Sequence, residues 1–323
     1  MGENELSIAA SYYELFRSGA VEQAHDNETS KEVGPETQSS NGFWAEDEWG
    51  EEDEAHARNI LATNREKCIV PSWESNSKED ADSEAWNQFY RDHGTRFFKD
   101  RHYLEKAYPD EFAPGPTQKI NKTFVEIGCG VGNALLPLFD DDSNQWQVLH
   151  GLDLSRVAIE LLRKDERFVG YNNQQEAPSA AAFAHVCDIS AELPPSCVGV
   201  SDVTTLIFCL SAVDPDAMKQ AALNVVSSLR PGGVLVFRDY GRYDEAQMKL
   251  GVSRNKQLKD NFYRKHDGTK CYYFTLEELE DLFCKQAGLE VLDLKYLRRM
   301  VRNNATGETR RRVWASGRFV KPA

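Results

Sequence analysis

Residues 125–133 read VEIGCGVGN, an apolar run that breaks into three glycines at alternate positions. A glycine-rich turn after a short apolar segment is typical of the first strand of an open α/β sheet, where the backbone approaches a ligand closely. The spacing is GxGxG, whereas the dinucleotide fingerprint is GxGxxG, and the chain contains no GxxxxGK[ST] phosphate loop. The loop therefore favours a ligand without a pyrophosphate, and S-adenosylmethionine is the leading candidate.

The sequence around this loop alternates apolar segments of strand length with helical ones. We expect strands in KTFVEIG, WQVLHGLDLS, AAFAHVCDIS, DVTTLIFCLSAV and GGVLVFRDYG, and helices at residues 134–138 and in SRVAIELLRK and DAMKQAALNVVSSL. A further helix, TLEELEDLFCKQAG, precedes two strands, EVLDLKYLRRM and RRRVWASGRF, joined by the turn NNATGE. This order predicts an α/β fold with a mostly parallel sheet, helices on both faces and a C-terminal antiparallel hairpin.

Two aspartates stand where the second and third predicted strands end. Asp153 in HGLDLS could accept both ribose hydroxyls of an adenosyl group, and Asp188 in VCDIS could accept from the adenine amine. Either one could instead be the N-cap of the next helix, but two at successive strand ends favour an adenosyl site. Ile207 on the fourth strand would flank the base, which is compatible with a place in the core.

The charge of the chain is unevenly distributed. The net charge is −14, but residues 1–84 hold 21 acidic and six basic side chains, so the remainder is nearly neutral. Within that remainder, residues 249–270 carry seven basic and two acidic side chains, and residues 295–321 carry nine and one. These two basic segments would suit a phosphate backbone, and on charge alone a solvated surface is an equally good interpretation.

The cysteines and the apolar segments exclude several classes of protein. The seven cysteines form no CxxC pair and no Cys/His spacing typical of a metal site. We therefore expect reduced packing thiols in a cytoplasmic or nuclear protein, and no metal. No apolar run approaches the length of a membrane helix, and the first residues do not resemble a secretory signal.

Two segments before the glycine loop combine aromatic and charged side chains. SEAWNQFYRDH places Trp86 and Tyr90 on one face of a predicted helix, which would suit either a lid over the cofactor or an ordinary core face. FFKDRHYL follows at residues 97–104, and its charged residues are costly to bury without purpose. Phe98, Arg101 and His102 could supply the stacking plane and the donors for a base turned out of its loop.

Longer stretches carry a more specific resemblance. They are WNQFYRDHGTRFFKDRHYL, TLIFCLSAVDPDAM, FRDYGRYD and NFYRKHDGTKCYYFT. Together with the glycine loop, the two strand-end aspartates and RPGGVLVFRDYG, they resemble the eukaryotic tRNA 3-methylcytidine methyltransferases, which have a Rossmann-like, seven-stranded class I methyltransferase fold. Trp44 and Trp49, set among acidic residues, resemble the branch that modifies threonine and some arginine tRNAs.

The resemblance implies S-adenosylmethionine as the methyl donor and cytidine 32 of the tRNA anticodon loop as the acceptor. It places the helix of Trp86 and Tyr90 over the cofactor and FFKDRHYL beside the target base. The N3 atom of cytosine lies on the pairing edge, so an unpaired loop is the favourable place to reach it.

The chemistry at N3 needs little acid or base catalysis. N3 carries a free lone pair, and its methylation makes the base cationic, so a nearby carboxylate would stabilise the developing charge. Asp239, at the carboxyl end of the fifth strand in FRDYG, is the expected residue, with an ion pair to Arg238 or Arg242 as the alternative. The turn CLSAV lacks the Asn/Asp-Pro-Pro-aromatic pattern of exocyclic-amine methyltransferases, so we interpret Asp214 as a helix N-cap.

We expect four regions in the chain. They are a largely disordered acidic leader (1–42), an acidic extension with a helix from Glu51 (43–82), a helical cap over the cofactor and target base (83–116) and the methyltransferase domain (117–323). The expected partner is the tRNA anticodon stem-loop, gripped through the basic segments, with no membrane. Flanking loop bases, an aminoacyl-tRNA synthetase or an accessory tRNA-binding protein remain open as selectors of the tRNA. A protein or small-molecule acceptor, and a catalytically idle tRNA or synthetase adaptor, remain as alternatives.

Overall fold

The computed structural model describes residues 50–71, 81–113, 122–139, 146–173, 181–302 and 309–323. Residues 1–49 and 303–308 lie outside this part of the chain. The predictions of disorder in the leader, of a branch signature at Trp44 and Trp49, and of a turn in NNATGE therefore concern residues that the structure does not describe.

A seven-stranded sheet of order β3-β2-β1-β4-β5-β10-β9 forms the centre of the fold. Its strands are β1 (Lys122–Ile127), β2 (Trp146–Asp153), β3 (Ala181–Val186), β4 (Ser201–Ile207), β5 (Leu229–Tyr240), β9 (Glu290–Arg302) and β10 (Thr309–Val320). The first five strands pair in parallel, and β10 runs antiparallel to both β5 and β9. The predicted α/β fold with a mostly parallel sheet and an antiparallel C-terminal hairpin is confirmed.

Helices cover both faces of the sheet. They are α1 (Glu51–Cys68), α2 (Ala81–His93), α3 (Leu104–Ala107), α4 (Pro109–Phe112), α5 (Arg156–Lys164), α6 (Glu166–Asn173), α7 (Met218–Ser228), α8 (Glu245–Val252) and α9 (Leu276–Glu280), which continues as the π-helical turn Asp281–Gln286. Successive residues of β1 point to opposite faces. Phe124 belongs to the hydrophobic cluster that contains Ile159 of α5, whereas Val125 belongs to the cluster that contains Val225 of α7.

Local capping explains where several helices begin. The backbone N–H of Ala158 donates to the Ser155 hydroxyl at 3.2 Å at the start of α5, and Thr275 forms a capping box with Glu278 at the start of α9. Asp214 caps the turn Pro215–Ala217 that leads into α7, as predicted.

The predicted helix at residues 134–138 is wrong. The glycine loop continues as turns and then a single 3-10 helix, Leu136–Phe139. Pro137 has no N–H to donate to the preceding turn, which disfavours a regular α-helix here.

A second, three-stranded antiparallel sheet was not predicted. It consists of β6 (Gln257–Lys259), β7 (Phe262–Arg264) and β8 (Lys270–Tyr272), and three of the seven basic residues of the first basic segment lie on its strands. All seven cysteines are free, as expected. Among the described residues, no helix is both long and apolar enough to cross a bilayer.

Candidate active site

The glycine loop joins β1 to the rest of the site in a conformation that favours glycine. Gly128 and Gly130 have φ of +74° and +53°, in the left-handed region that other residues rarely adopt. The backbone N–H groups of Gly128 and Cys129 both donate to the Leu152 carbonyl, at 2.8 and 3.0 Å, and so fasten the loop to β2. A Cβ atom on Gly128 would overlap Cys209, and one on Gly130 would overlap the Tyr90 hydroxyl. These glycines therefore allow protein groups to lie directly on the loop.

Asp153, the last residue of β2, is bound to this loop. Its Oδ2 accepts from the Gly130 N–H at 2.7 Å and its Oδ1 from the Ser155 N–H at 2.8 Å. Burial raises the pKa of Asp153 to about 6, and the two backbone donors partly offset that effect. Each carboxylate oxygen has a second lone pair, so the side chain can still accept two ribose hydroxyls.

Asp188 lies where the adenosyl interpretation requires it and caps no helix, because the next element of the described chain begins only at Pro195, whereas Ile207 suits both of its interpretations. Asp188 is exposed two residues after β3, and its Oδ1 accepts from the Ser190 N–H at 2.8 Å and hydroxyl at 2.7 Å. Among the described residues, its Oδ2 has no such bond and could accept from an adenine amine. Ile207 ends β4 and is buried in the same cluster as Phe124, so it is a core residue at the edge of the site.

Glu126 adds a buried acidic group beneath the loop. Its Oε2 is enclosed and has no hydrogen-bond partner among the described residues. Burial raises the pKa of Glu126 to about 8, and the positive charge of Arg101 opposes that shift. Because β1, β2, β3 and β5 all end at one edge of the sheet, carboxylates from these four strands or their ends lie along it. S-adenosylmethionine fits this set of carboxylate acceptors, since it brings hydroxyls, an amine and cationic groups.

Helix α2 lies across this edge. The Asn87 Oδ1 accepts from the Ser155 hydroxyl at 2.9 Å and from the Val157 N–H at 3.2 Å, which fastens α2 to the start of α5. Tyr90 is buried against Gly130, and Trp86 is half-buried beside it, with ring centroids 6.2 Å apart. The structure therefore brings both predicted aromatic residues to the glycine loop.

The segment FFKDRHYL separates into side chains that enter the site and side chains that do not. The Arg101 guanidinium lies 5.3 Å from the centroid of the Phe208 ring, and its charge acts on Glu126 and Tyr90. Phe98 packs with Phe97, at 4.7 Å between centroids, in an aromatic cluster under α2. His102 is exposed on the surface.

Asp100, for which no role was predicted, anchors the segment FFKDRHYL to neighbouring elements. Its Oδ2 accepts from Arg167 at 2.6 Å, and its Oδ1 accepts from the Asn133 side-chain amide at 3.3 Å. The Asn133 carbonyl in turn accepts from the Arg101 N–H at 2.6 Å. Asn133 thus connects the end of the glycine loop to FFKDRHYL, and its position directly after the glycines was a signal available in the sequence.

Asp239 lies in β5 and is completely buried. Its Oδ2 accepts from the Ser211 N–H and its Oδ1 from the Tyr240 N–H, both at 2.9 Å. Burial raises its pKa to about 6, while the nearby Lys265 opposes the shift. Arg242, which the sequence offered as an ion-pair partner, instead binds Glu278 at 2.7 Å. The carboxylate therefore holds the turn after β4 in place and puts negative charge beneath the site.

Sequence reasoning missed three residues of this edge. Phe208 follows β4 with φ of +53°, an uncommon conformation for a bulky residue and one often found at functional sites. Cys209 covers Gly128, and the Lys265 Nζ lies 5.8 Å from the centroid of the Trp86 ring. Nothing in the residue types themselves indicates a positive φ at Phe208.

Several basic side chains of the two segments are engaged in ion pairs. Lys259 binds Asp214 and Asp216, Lys270 binds Asp82 of α2, and Lys249 binds Glu245. In the second segment, the buried Arg312 binds Asp244, and Arg318 binds Asp110 and Glu111. Within the described residues, neither Arg254, which is exposed, nor Lys256 is in an ion pair.

Comparisons with known proteins agree with this geometry. A family model described as a methyltransferase domain matches residues 97–294. The chain is 36% identical to the tRNA N(3)-methylcytidine methyltransferase Mettl2 of Drosophila melanogaster, over 86% of this chain and 83% of that protein. It is 34% identical to the human tRNA N(3)-cytidine methyltransferase METTL6, over 80% and 87% of the two chains.

A solved structure of an S-adenosylmethionine-dependent methyltransferase from Anabaena variabilis superposes with a TM-score of 0.50 at 13% identity, over 74% of this chain and 94% of that chain. This likeness concerns the fold. The predicted class I methyltransferase fold and S-adenosylmethionine as the cofactor are confirmed. With the glycine loop, the acidic edge and the extent of the sequence identity in agreement, the chain belongs to the tRNA N(3)-methylcytidine methyltransferase family.

Proposed function

We propose that this protein transfers the methyl group of S-adenosylmethionine to N3 of cytidine 32 in the anticodon loop of threonine tRNAs and some arginine tRNAs. The observation that carries the reaction is the 36% identity to a tRNA N(3)-methylcytidine methyltransferase across 86% of the chain. The acidic edge around the glycine loop supports it, because Asp153 and Asp188 offer carboxylate oxygens to the hydroxyls and the amine of an adenosyl group. The position and the tRNA species rest on the resemblance described above.

In this proposal the cofactor supplies an electrophilic methyl group, and the protein positions and stabilises the reactants. Asp153 would hold the ribose hydroxyls and Asp188 the adenine amine, while Tyr90 and Trp86 cover the loop. Arg101, packed against Phe208, would stack on the target base or bind its carbonyl. The buried charge of Asp239 would favour the cationic product base.

Asp239 is better described as a positioning residue than as one that contacts the base. Both of its oxygens accept backbone N–H groups, and the side chain is fully enclosed. Its carboxylate fixes Ser211 and with it the turn that carries Phe208 and Cys209. Loss of this carboxylate would therefore displace the residues that form the wall of the site.

The tRNA would be held mainly through its backbone. Phosphate contacts position a nucleic acid without reading its sequence. Arg254 and Lys256 are candidates in the first basic segment, because neither is in an ion pair among the described residues, whereas Lys249, Lys259 and Lys270 are engaged by carboxylates. Selection between tRNAs would then depend on the loop bases or on a partner such as an aminoacyl-tRNA synthetase.

The test is methyl transfer by the purified chain to unmodified threonine, arginine and serine tRNAs, with labelled S-adenosylmethionine and mass spectrometry of the product nucleotides. We expect 3-methylcytidine at position 32, and no product when cytidine 32 is replaced by uridine. Product at another nucleotide, or on protein in a tRNA-free extract, would contradict the proposal. If product forms only after cell extract is added, the partner rather than the loop selects the tRNA.

A further inference from the structure

Three potential metal ligands that the proposed reaction does not use come together on the main sheet. His150 lies on β2, His185 on β3, and Cys197 ends the 3-10 turn Pro195–Cys197 that leads into β4. His150 Nδ1 is 3.2 Å from His185 Nε2. One ring nitrogen of each histidine and the Cys197 Sγ all lie within 4.8 Å of one another. No local sequence pattern indicates this cluster, because its members are far apart along the chain.

The cluster is shielded from solvent except on the side of His185. His150 and Cys197 are 3% and 0% exposed, whereas His185 is only half-buried and provides a route to solvent. The Phe183 ring stacks on His150 at 5.1 Å between centroids and limits the motion of that imidazole. His150 and His185 are therefore held on neighbouring strands with their ring nitrogens converging.

The geometry is close to that of a tetrahedral metal centre. With Zn–N bonds of about 2.0–2.1 Å and a Zn–S bond of about 2.3 Å, tetrahedral ligand atoms stand roughly 3.3–3.6 Å apart. The two histidine nitrogens already have this separation. The Cys197 Sγ lies within 4.8 Å of a ring nitrogen of each histidine, so each of these distances would have to shorten by about 1.2 Å at most. Two imidazoles and a thiolate are ligands that Zn²⁺ prefers over Mg²⁺ or Ca²⁺.

We propose that His150, His185 and Cys197 bind one zinc-class divalent ion, with water as the fourth ligand. On binding, the hydrogen bond between the imidazoles is lost, and its proton moves to the other nitrogen of the donor ring. The Cys197 thiol releases its proton to solvent, so each bound ion liberates one proton. The ion would join β2, β3 and the segment before β4, which carries Asp188, and would stiffen that segment.

Cobalt(II) is the direct probe, because a cobalt–thiolate bond absorbs in the near ultraviolet and tetrahedral Co²⁺ has intense visible bands. The full chain, stripped of metal with a chelator, would be titrated with Co²⁺ and then with Zn²⁺. We expect the chain to bind one equivalent of Co²⁺ and to show both absorptions. One equivalent of Zn²⁺ should displace the Co²⁺, and the zinc-bound protein should have a higher melting temperature than the metal-free protein.

Single variants separate a metal site from a simple hydrogen-bonded histidine pair. Cys197→Ser should abolish the thiolate absorption, and His185→Ala should weaken Co²⁺ binding by more than about 100-fold, since it removes a direct ligand. Cys284→Ser and His56→Ala remove a thiol and an exposed imidazole elsewhere and should bind Co²⁺ as the wild type does. Circular dichroism of each variant checks its fold. Absence of the thiolate absorption in folded wild-type protein, or its persistence in Cys197→Ser, would overturn the proposal.

Discussion

The acidic edge of the main sheet around the glycine loop is the proposed cofactor edge. It differs from the two basic segments in how well the local sequence predicts what each residue does. At the cofactor edge, each important group is fixed by its backbone position: Asp153 ends β2, and the Gly130 N–H donates to it. In the basic segments, position in the sequence says little, because the partners come from elsewhere. Lys270 binds Asp82, which lies 188 residues earlier. A motif that is tied to strand ends therefore carries more information than a count of charges.

The same contrast holds for electrostatics. The cofactor edge concentrates buried carboxylates whose pKa values are raised, namely Glu126, Asp153 and Asp239. Their burial costs free energy unless positive groups are nearby, and a cationic cofactor would supply them. The basic segments instead pair several of their charges with carboxylates of the protein, so those side chains are not directly available to phosphates.

The largest expected effect comes from a methyl group on the loop. Gly130→Ala places a Cβ where the Tyr90 hydroxyl lies and requires a φ that alanine rarely adopts. Because small displacements of a reacting group are costly, we expect methyl transfer to fall by about 100-fold or more, with weaker cofactor binding by calorimetry. Gly288→Ala is the matched control, since Gly288 also has a positive φ but open space around it. Equal cofactor affinity in the two variants would show that the loop does not depend on close approach.

Removing two basic side chains that are in no ion pair among the described residues should have an intermediate effect, on the affinity for tRNA. The double change Arg254→Ala and Lys256→Ala should weaken tRNA binding by about 10-fold and reduce the slope of log affinity against log salt by about two. The charge-matched control is Lys259→Ala with Lys285→Ala, whose side chains bind carboxylates of the protein. Filter binding at several salt concentrations measures both. A larger loss in the control pair would show that engaged lysines release their partners to bind tRNA.

Stability should depend on pH through Glu126. Its pKa rises from 4.5 to about 8 on folding, so between these values the folded protein holds a proton that the unfolded chain has lost. The free energy of unfolding should therefore fall by about 1.4 kcal/mol per pH unit from this group as pH rises. Glu126→Gln should remove that part of the slope between pH 6 and 8 in urea titrations. The exposed Glu160→Gln should keep it, and parallel wild-type and Glu126→Gln curves would contradict the assignment.

The sheet and the cofactor loop were predictable because hydrophobic periodicity and a glycine pattern are local signals. The strands were identified close to their observed limits, and α1 begins at Glu51 as expected. The helix predicted after the glycine loop was wrong because Pro137 lacks the N–H that a regular α-helix would use there. The enclosure of Asp239, the positive φ of Phe208 and the pairing of the lysines depend on residues distant in sequence, so no local pattern could reveal them.

The most direct test of the acidic edge as the catalytic centre is the KM for S-adenosylmethionine in tRNA methylation by Asp153→Asn. Loss of one carboxylate charge next to the ribose should raise this KM by about 10-fold or more, because hydrogen bonds to charged groups contribute about 1.5–3 kcal/mol. The product should remain 3-methylcytidine. Asp165→Asn, which changes a carboxylate bound to Arg167 instead, should leave the KM unchanged. An unaltered KM in Asp153→Asn would contradict the account.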